Sequence, residues 1–568
     1  MYIATVPNRR SPPAILLREG YRQGGKVKNR TLANLSTWPG PKIDLLRRLL
    51  RDEPLAPVDT LFEVVGSTHH GHVQAVRTTM QRLGFDGLIA SRPSRERDLV
   101  VAMVTARILE PDSKLATTRW WHATTLPADL GVSDADEDAL YEAMDWLLER
   151  QDRIEQKLAA RHLRAGGFVL YDLTSSYFEG TTCPLAAFGH NRDGKKGKLQ
   201  VNYGLLTDAR GCPVAVSVFK GNTADAPTLL PEVQRVREQF GIEQLVVVGD
   251  RGMISQTQIT ALQALGGVDW ITALKTGAIR DLVADGHLQL GLFDERNLFD
   301  LTHPDFPGER LVACRNPELA KLRAHKRQAL LAATRTELEK VRGMVARGTL
   351  KGRDAIGVRV GKVVNKYKVA KHVRLEIHDD RFEFQIDESR VAAEAALDGI
   401  YVIRTSVPPE RVAAADAVRH YKRLSDVERA FRSLKTIDLK VRPIHHRLAP
   451  RVRAHIFLCL LAYYVEWHMR EAWRPLLFSD EDQAAKQTRD PVAPAKRSAA
   501  ALRKIHTKVL DDGTPVHSFS TLLKDLSRIV RNVCRRRGAT PEAPTFELVT
   551  TPTATQQRAY DLLKTIAA

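Results

Sequence analysis

The chain has 568 residues, and its 86 Lys and Arg outnumber its 67 Asp and Glu, which gives a formal net charge of +19. At about 150 residues per domain this length predicts roughly three or four structural units, and the 43% of hydrophobic residues is enough to form real cores. The composition therefore excludes a disordered basic tail, and the positive charge predicts a polyanionic partner.

The N-terminal segment predicts a basic β-hairpin. Two strand-like runs in AILLREGYRQGGKVKNRTLANLS flank Gly24-Gly25, and paired glycines are a signal for a tight hairpin turn. The basic side chains of these runs can follow phosphates or form a solvated face, and charge alone does not decide between the two. From residue 42 to about 164, apolar residues recur at intervals of three and four, which predicts an all-helical region.

Short buried strands begin at Gly167. GFVLYDLT and EQLVVVGD are almost continuously apolar, as central strands covered on both faces are, and QVNYGLLTDARGCPVAVSVFKG between them predicts an antiparallel hairpin. Helical stretches follow, so the fold class is mixed α/β. A long excursion then separates Asp250 from a strand near Gly399. It contains a predicted helix from 317 to about 345 and the strands VRLEIH and RFEFQI, which indicates an inserted α+β subdomain.

The C-terminal part of the sequence predicts helices and a basic surface. The longest apolar run, 456–465, has ten residues, fewer than the roughly 20 that a membrane span requires, and therefore predicts a buried core helix. The segment 522–537 is rich in arginine. The five cysteines are scattered, odd in number and without a C-x-x-C pair, which predicts reduced thiols in a cytoplasmic protein.

Three acidic residues stand out by their position. Asp172 and Asp250 each directly follow an apolar strand, and Glu428 lies inside an amphipathic helix. Strand ends of α/β sheets collect at one ligand-binding edge, so the two aspartates can converge there. A carboxylate from a neighbouring helix would complete a site suited to one or two Mg²⁺ ions. Taken singly, each aspartate is more typical of a helix cap or a turn than of a catalytic site.

The helix around Glu428 predicts a row of functional side chains. A spacing of seven returns to nearly the same helix face, so Tyr421, Glu428 and Lys435 would share one face, with Arg432 one turn after Glu428. The alternative is a surface helix stabilised by pairing of Glu428 with Arg432.

These segments together resemble the insertion-sequence DDE transposases of the bacterial class with a Tyr, Arg, Glu, Lys signature. FVLYDLTSSYFEG, FKGNTADAPTL, VVVGDRGM and YKRLSDVERAFRSLK match the motifs in the family's order, over roughly residues 165–470. GKVKNRTLANLS and ARILEPDSKLATTRW are similar to the subgroup with long N-terminal regions. The resemblance implies an RNase H-like catalytic core with a mixed sheet, and an insertion that accounts for the 428 − 250 = 178 positions between the last two acids.

The expected organisation follows from the resemblance and from the patterns above. It comprises six regions: a basic β-hairpin region at 1–40, a helical DNA-binding region at 41–164, the first part of the core at 165–280, the insertion subdomain at 281–396, the second part of the core with the Glu helix at 397–475, and a basic helical region at 476–568.

The resemblance also implies the site and its partners. Asp172, Asp250 and Glu428 would hold two Mg²⁺ ions, with Mn²⁺ able to substitute, while Tyr421 and Lys435 would contact the DNA backbone. The implied partners are double-stranded DNA, as the element's terminal inverted repeats and the target, and a second copy of the chain in a synaptic homodimer, with no membrane. The protein would act at the nucleoid.

One position departs from the signature. Leu424 stands four residues before Glu428, where the family usually has arginine, so either Arg423 or Arg432 replaces that phosphate contact or the contact is weaker here. Two other functions remain open from the sequence: a DNA-binding protein derived from a transposase but no longer catalytic, and a metal-dependent nuclease that cuts strands without joining them.

Overall fold

The computed structural model describes residues 1–9, 11–53, 61–482, 488–493 and 496–567. They belong to two compact units, one formed by Met1–Thr68 with Val530–Thr550 and the other by His69–Ile529 with Thr551–Ala568.

The strands of the described residues are numbered in chain order. They are β1 (Tyr2–Val6), β2 (Ala14–Gln23), β3 (Lys26–Asn34), β4 (Phe62–His69), β5 (Gly167–Tyr177), β6 (Gln200–Asp208), β7 (Pro213–Lys220), β8 (Leu245–Val248), β9 (Val268–Ala273), β10 (Leu298–Leu301), β11 (Arg310–Arg315), β12 (Val373–Ile377), β13 (Phe382–Ile386), β14 (Ile400–Thr405), β15 (Val530–Arg536) and β16 (Thr545–Val549).

The α-helices are numbered in the same way. They are α1 (Gly40–Leu49), α2 (Gly71–Arg82), α3 (Phe85–Ile89), α4 (Arg95–Leu109), α5 (Lys114–Trp120), α6 (Leu126–Asp129), α7 (Glu137–Leu148), α8 (Gln151–His162), α9 (Ala226–Glu238), α10 (Gln256–Leu265), α11 (Thr276–Ala284), α12 (Leu292–Glu295), α13 (Pro317–Ala346), α14 (Arg353–Tyr367), α15 (Glu388–Ala395), α16 (Ala414–Lys422), α17 (Leu424–Arg432), α18 (Ala449–Ala472), α19 (Ala499–Thr507), α20 (Phe519–Leu526) and α21 (Ala554–Lys564).

The first unit contains two small sheets. Strands β1, β2 and β3 form an antiparallel sheet, and the β2–β3 turn pairs Gln23 with Lys26 around the two predicted glycines. Gly24 and Gly25 have φ of 60° and 76°, the positive values that a two-residue hairpin turn of this kind requires. The second sheet has the order β16-β15-β4.

This second sheet differs from the helical character expected for 41–164 and 476–568. Strand β4 lies inside the first of these ranges, and β15 and β16 lie inside the second. A strand that pairs with a segment more than 450 residues away leaves no short-range signal, because the turn residues that mark a hairpin are absent.

The helices from α2 to α8 begin the second unit and carry the expected periodicity. Helix α4 begins at a serine cap, where the Ser94 hydroxyl accepts a hydrogen bond from Arg97 N, and such a cap satisfies one of the free amides of the first turn. The helix is buried from Leu99 to Ile108. It packs against α7 and α18, so these helices share one core with the sheet described below.

Lys114 is a buried lysine in this helical region. The pH dependence of stability that follows from its pKa tests the packing around it. Burial lowers the pKa of Lys114 to about 7, and the charge of Arg107 lowers it further, whereas Cys459 raises it. His446 and His455 also face this group. A lowered lysine pKa means that the unfolded chain binds more protons than the folded chain between about pH 7 and 10.5, so stability increases with pH across that window.

We therefore expect Lys114→Met to flatten that increase. Between pH 7 and 9.5 the free energy of unfolding of the wild type should rise relative to that of the variant by roughly 3 kcal/mol. Urea unfolding at the two pH values measures this difference. The exposed Lys220→Met serves as the control, and equal pH profiles for the wild type and Lys114→Met would contradict the prediction.

The second unit is built on an eight-stranded mixed sheet with the order β10-β11-β14-β9-β8-β5-β6-β7. Strands β5, β8 and β9 are parallel, and β6 and β7 run antiparallel beside β5. The strands from β7 to β9 thus have the order and directions of the RNase H-like core that the resemblance implies. Strand β8 is buried along its whole length and β5 at most of its positions, as their apolar runs predicted. Strand β6 is also buried throughout.

The insertion before the Glu helix is divided between the sheet and a small separate core. Strands β10 and β11 extend the main sheet beside β14. Helices α13 and α14 instead pack with the β12–β13 hairpin around their own apolar cluster, which includes Leu338, Ile356 and Phe382. The predicted long helix and the two predicted strands are confirmed, and the participation of β10 and β11 in the main sheet is new information from the structure.

Helix α18 fills the core behind the sheet. Residues 454–466 along it are all buried, which confirms the buried helix predicted from the ten-residue apolar run. No helix among the described residues has the length and apolarity needed to cross a membrane.

Candidate active site

Two of the predicted carboxylates belong to neighbouring parallel strands, Asp172 inside β5 and Asp250 just after the end of β8. In the β5–β8 register Leu170 is opposite Val248, so Asp172 and Asp250 each lie two residues further along. Asp172 does not follow a strand, as the sequence suggested, but lies inside β5, where it pairs with Leu205 of β6. Strand β8 ends at Val248. The neighbouring strand has therefore already ended at the level of Asp172.

The Asp172 carboxyl group is partly buried, and its protonation is perturbed. Burial raises its pKa to about 7, and the charge of Asp250 adds to the rise, while a hydrogen bond from Leu173 N opposes it. That bond reaches Asp172 Oδ1 over 2.8 Å. A buried carboxyl group beside a second carboxylate is a group that a bound cation would stabilise in its charged form.

The Asp250 side chain is held by the turn that leaves β8. Its Oδ1 accepts hydrogen bonds from Gly252 N at 2.9 Å and from Met253 N at 2.7 Å. This arrangement fixes the carboxylate at the sheet edge through the Asp-Arg-Gly exit that the sequence contains.

Glu428 comes from α17, which packs against β5. Glu428 itself is exposed, whereas the neighbouring Val427 is fully buried, so the helix directs one face into the core and presents the carboxylate outside it. Tyr421 lies near all three acids: burial raises the pKa of Tyr421, the charges of Asp250, Glu428 and Asp172 add to the rise, and the charge of Arg251 opposes it. The negative charges of all three carboxylates therefore disfavour ionisation of the same Tyr421 phenol.

The three carboxylates do not form one tight cluster of ligand atoms. Their oxygens are not all within 4.8 Å of each other, and one oxygen of Asp250 is engaged by backbone amides. Joint ligation of one ion would require them to move closer together.

The continuous helix predicted from Tyr421 to Lys435 is wrong. Helix α16 ends at Lys422, α17 spans Leu424–Arg432, and a π-helical turn covers Ser433–Ile437. A π turn holds one residue more than an α turn at its hydrogen bond, so the seven-residue spacing no longer keeps Lys435 in line with Glu428.

Lys435 is instead buried against an aspartate from another segment. Its Nζ lies 3.0 Å from Asp193 Oδ1, and Arg442 pairs with the same oxygen. Tyr177 N donates a 2.9 Å hydrogen bond to Asp193 Oδ2. Burial lowers the pKa of Lys435, and the Asp193 charge opposes that effect.

The two arginines considered as replacements for the signature arginine have different surroundings. Arg423 donates a 2.7 Å hydrogen bond to Ala209 O in the β6–β7 connection. Arg432 is exposed and forms no ion pair with any residue that the structure describes. Leu424 packs against the main core, which gives this position a structural role.

Sequence reasoning missed the groups that surround Asp172. The charge of Arg192 lowers the pKa of Asp172 and that of Asp225 raises it, and these two residues form an ion pair with each other. Asp225 lies in the FKGNTADAPTL motif and was therefore visible in the sequence. Arg192 and Asp193 lie in a turn-like segment, NRDGKKG, without any pattern that indicates a site.

Two family models of transposases match this sequence. Residues 167–465, more than half of the chain, match the family model described as Transposase DDE domain. Residues 3–55 match the model described as IS1634 family transposase, N-terminal domain. No curated protein matches this sequence.

Solved structures of transposases are among those similar to this chain. A cryo-EM structure of the piggyBac transposase synaptic complex with hairpin DNA is 9% identical, with 80% of this chain and 77% of that chain covered and a TM-score of 0.33. The Mos1 transposase paired-end complex with the left transposon end is 11% identical, with 34% and 66% covered and a TM-score of 0.15. On the two family matches, this chain belongs to the insertion-sequence DDE transposases, enzymes that cut DNA and transfer its strands.

Proposed function

We propose that this transposase cuts DNA at the ends of its own insertion sequence and joins them to target DNA, with Asp172, Asp250 and Glu428 as the ligands of two divalent metal ions. The family uses divalent ions, and we assign Mg²⁺ here, with Mn²⁺ able to substitute. The observation that carries the proposal is that Asp172 in β5 and Asp250 just after the parallel strand β8 lie at the same level of the sheet, beside the helix α17 that carries Glu428.

The donor set fits such ions. Carboxylate oxygens are the ligands that Mg²⁺ prefers, and its remaining positions are typically filled by water and substrate phosphate. Bound ions would activate the attacking hydroxyl and stabilise the leaving oxygen at phosphorus. The chain's own residues hold the geometry: β5 fixes Asp172, the turn after β8 fixes Asp250, and α17 supplies Glu428 from an exposed face.

The surrounding cations and the phenol would position DNA. Tyr421 is half-buried among the carboxylates, and we assign it and Lys435 to backbone contacts near the scissile phosphate, which fix the register without reading bases. The net charge of +19 supports a double-stranded DNA partner, as terminal inverted repeats and as target. Two ends must be cut together, so we propose a homodimer in a synaptic complex, acting at the nucleoid.

A cleavage assay on the native element tests the function. Purified protein is incubated with DNA carrying its gene and both flanks, in Mg²⁺, in Mn²⁺ and in EDTA, beside Asp250→Ala. We expect metal-dependent breaks and joined products at the inverted-repeat ends, lost in the variant while DNA binding is kept. Binding without breaks would indicate a non-catalytic DNA-binding protein, and breaks without joined products would indicate a nuclease.

The two arginines near Glu428 give a further prediction. Arg432→Ala should weaken DNA binding uniformly across sequences and reduce the slope of log K against log salt by about 1, because one phosphate contact is lost. Arg423→Ala should leave that slope unchanged, since this guanidinium is occupied by Ala209 O. DNA binding measured by fluorescence anisotropy at several salt concentrations checks both variants. A slope change only in Arg423→Ala would assign the phosphate contact to Arg423 instead of Arg432.

A further inference from the structure

A second group of metal-ligand side chains converges away from the carboxylates. His162 is the last residue of α8, Cys212 directly precedes β7, and His468 lies on α18. One ligand atom from each lies within 4.8 Å of the other two, and among the described residues this is the one such group of three His, Cys, Asp or Glu. Cys212 Sγ is 3.9 Å from His468 Nε2.

The distances are close to those of a tetrahedral site. With Zn–S of about 2.3 Å and Zn–N of about 2.0–2.1 Å, neighbouring ligand atoms of a tetrahedral ion are about 3.6 Å apart for S and N and about 3.4 Å for two N. The Cys212–His468 separation exceeds the first value by only a few tenths of an ångström. The other two separations are within 4.8 Å, so binding would draw the three ligand atoms closer together.

The chemistry of the three donors differs from that of the catalytic site. A thiolate and two imidazoles favour Zn²⁺, Co²⁺ and similar ions, whereas Mg²⁺ prefers oxygen. Cys212 is fully buried, and its backbone N donates a 2.9 Å hydrogen bond to Asp208 Oδ1, which fixes the residue.

Neighbouring charges both oppose and support a cation here. Arg210 NH2 lies 3.4 Å from His162 Nδ1, and Arg161 also acts on this ring. Arg210 is paired with Asp208 at 2.9 Å, so its charge is largely offset. The Tyr464 hydroxyl lies 3.1 Å from His162 Nε2 and orients the ring.

We propose that His162, Cys212 and His468 bind one thiophilic divalent transition-metal ion of the Zn²⁺ class. The ion would connect α8, the β6–β7 connection and α18. The β6–β7 connection also contacts the start of α17: Ala209 O accepts the Arg423 hydrogen bond, and a methyl group at Gly211 would lie 2.9 Å from Asp426 Cβ. The site would thus brace the loop against which the Glu428 helix rests.

Cobalt binding tests this site independently of DNA cleavage. The full chain, stripped with chelator and kept reduced, is titrated with Co²⁺ in excess Mg²⁺, which occupies oxygen ligands. We expect one equivalent to produce a thiolate-to-cobalt charge-transfer band. Cys212→Ser should abolish the band, and His468→Gln should weaken Co²⁺ affinity at least about tenfold, as loss of ligand-shell groups does. Cys183→Ser, at another buried cysteine, and Asp250→Ala should both retain the band.

Several results would overturn the site. Absence of the band in the reduced, folded wild type would do so, as would a band that persists in Cys212→Ser. Circular dichroism checks that each variant is folded. If Cys212→Ser does not fold, the Co²⁺ affinity of His468→Gln tests the site instead. An affinity equal to that of the wild type would reject the proposal. A normal band in a chain that does not cut DNA would support this site and count only against the proposed function.

Discussion

Replacing Glu428 by glutamine is expected to lower the rate of DNA cleavage by about a thousandfold, with little change in stability or DNA affinity. Divalent ions supply several kcal/mol of transition-state stabilisation in phosphoryl transfer, and losing about 4 kcal/mol of it corresponds to roughly three orders of magnitude in rate. Glutamine keeps the size and helix propensity of glutamate but is a much poorer cation ligand. Because Glu428 is exposed, its replacement leaves the core intact.

The measurement is single-turnover cleavage of a terminal-repeat duplex under saturating protein. Glu410→Gln is the matched control, because Glu410 is also exposed and lies before α16, outside the cluster around Tyr421. Its rate should equal that of the wild type. A Glu428→Gln rate within tenfold of wild type would remove Glu428 from the ligand set and leave Asp172 and Asp250 to be completed by another acid, for which Asp225 beside Asp172 is the first candidate.

The central strands and two of the three acids could be predicted because their signals are local. A strand covered on both faces must be apolar throughout, so GFVLYDL and LVVVGD are evident, and the aspartate in each is the first charged residue after the apolar run. The position of Asp172 within β5 was missed because β6 continues to pair as far as Tyr177 with Gln200. How far β5 extends past Asp172 depends on pairing with β6 and not on the sequence of β5 alone.

Features that depend on distant contacts could not be predicted. Nothing in LFDL or RLVACR indicates that β10 and β11 would join the main sheet beside β14. The π turn at Ser433–Ile437 places Lys435 against Asp193, and helix periodicity assumes an unbroken α-helix. The ligand set of His162, Cys212 and His468 spans more than 300 positions, so a search for closely spaced cysteines does not find it.

Asp193→Ala is expected to lower the free energy of unfolding by about 3–5 kcal/mol, the usual cost of removing one partner from a buried ion pair. The Asp193 side chain is 2% exposed and neutralises both Lys435 and Arg442, so alanine leaves two cations without their counter-charge. It also removes the acceptor for Tyr177 N. Urea unfolding followed by tryptophan fluorescence measures the change.

A comparison with an exposed ion pair shows whether burial, and not pairing alone, determines how much Asp193 contributes to the free energy of unfolding. Asp561 forms a 2.8 Å ion pair with Lys564 in which both side chains are more than half exposed, so Asp561→Ala should lower the free energy of unfolding far less than Asp193→Ala does. Equal costs for the two variants would show that the Asp193 pairing contributes no more than a surface pair.

Asp193→Asn keeps an acceptor for Tyr177 N but not the charge. If it stays folded and still loses DNA cleavage, the Asp193 charge positions Lys435 for the DNA contact, because a purely structural aspartate would affect cleavage only through unfolding.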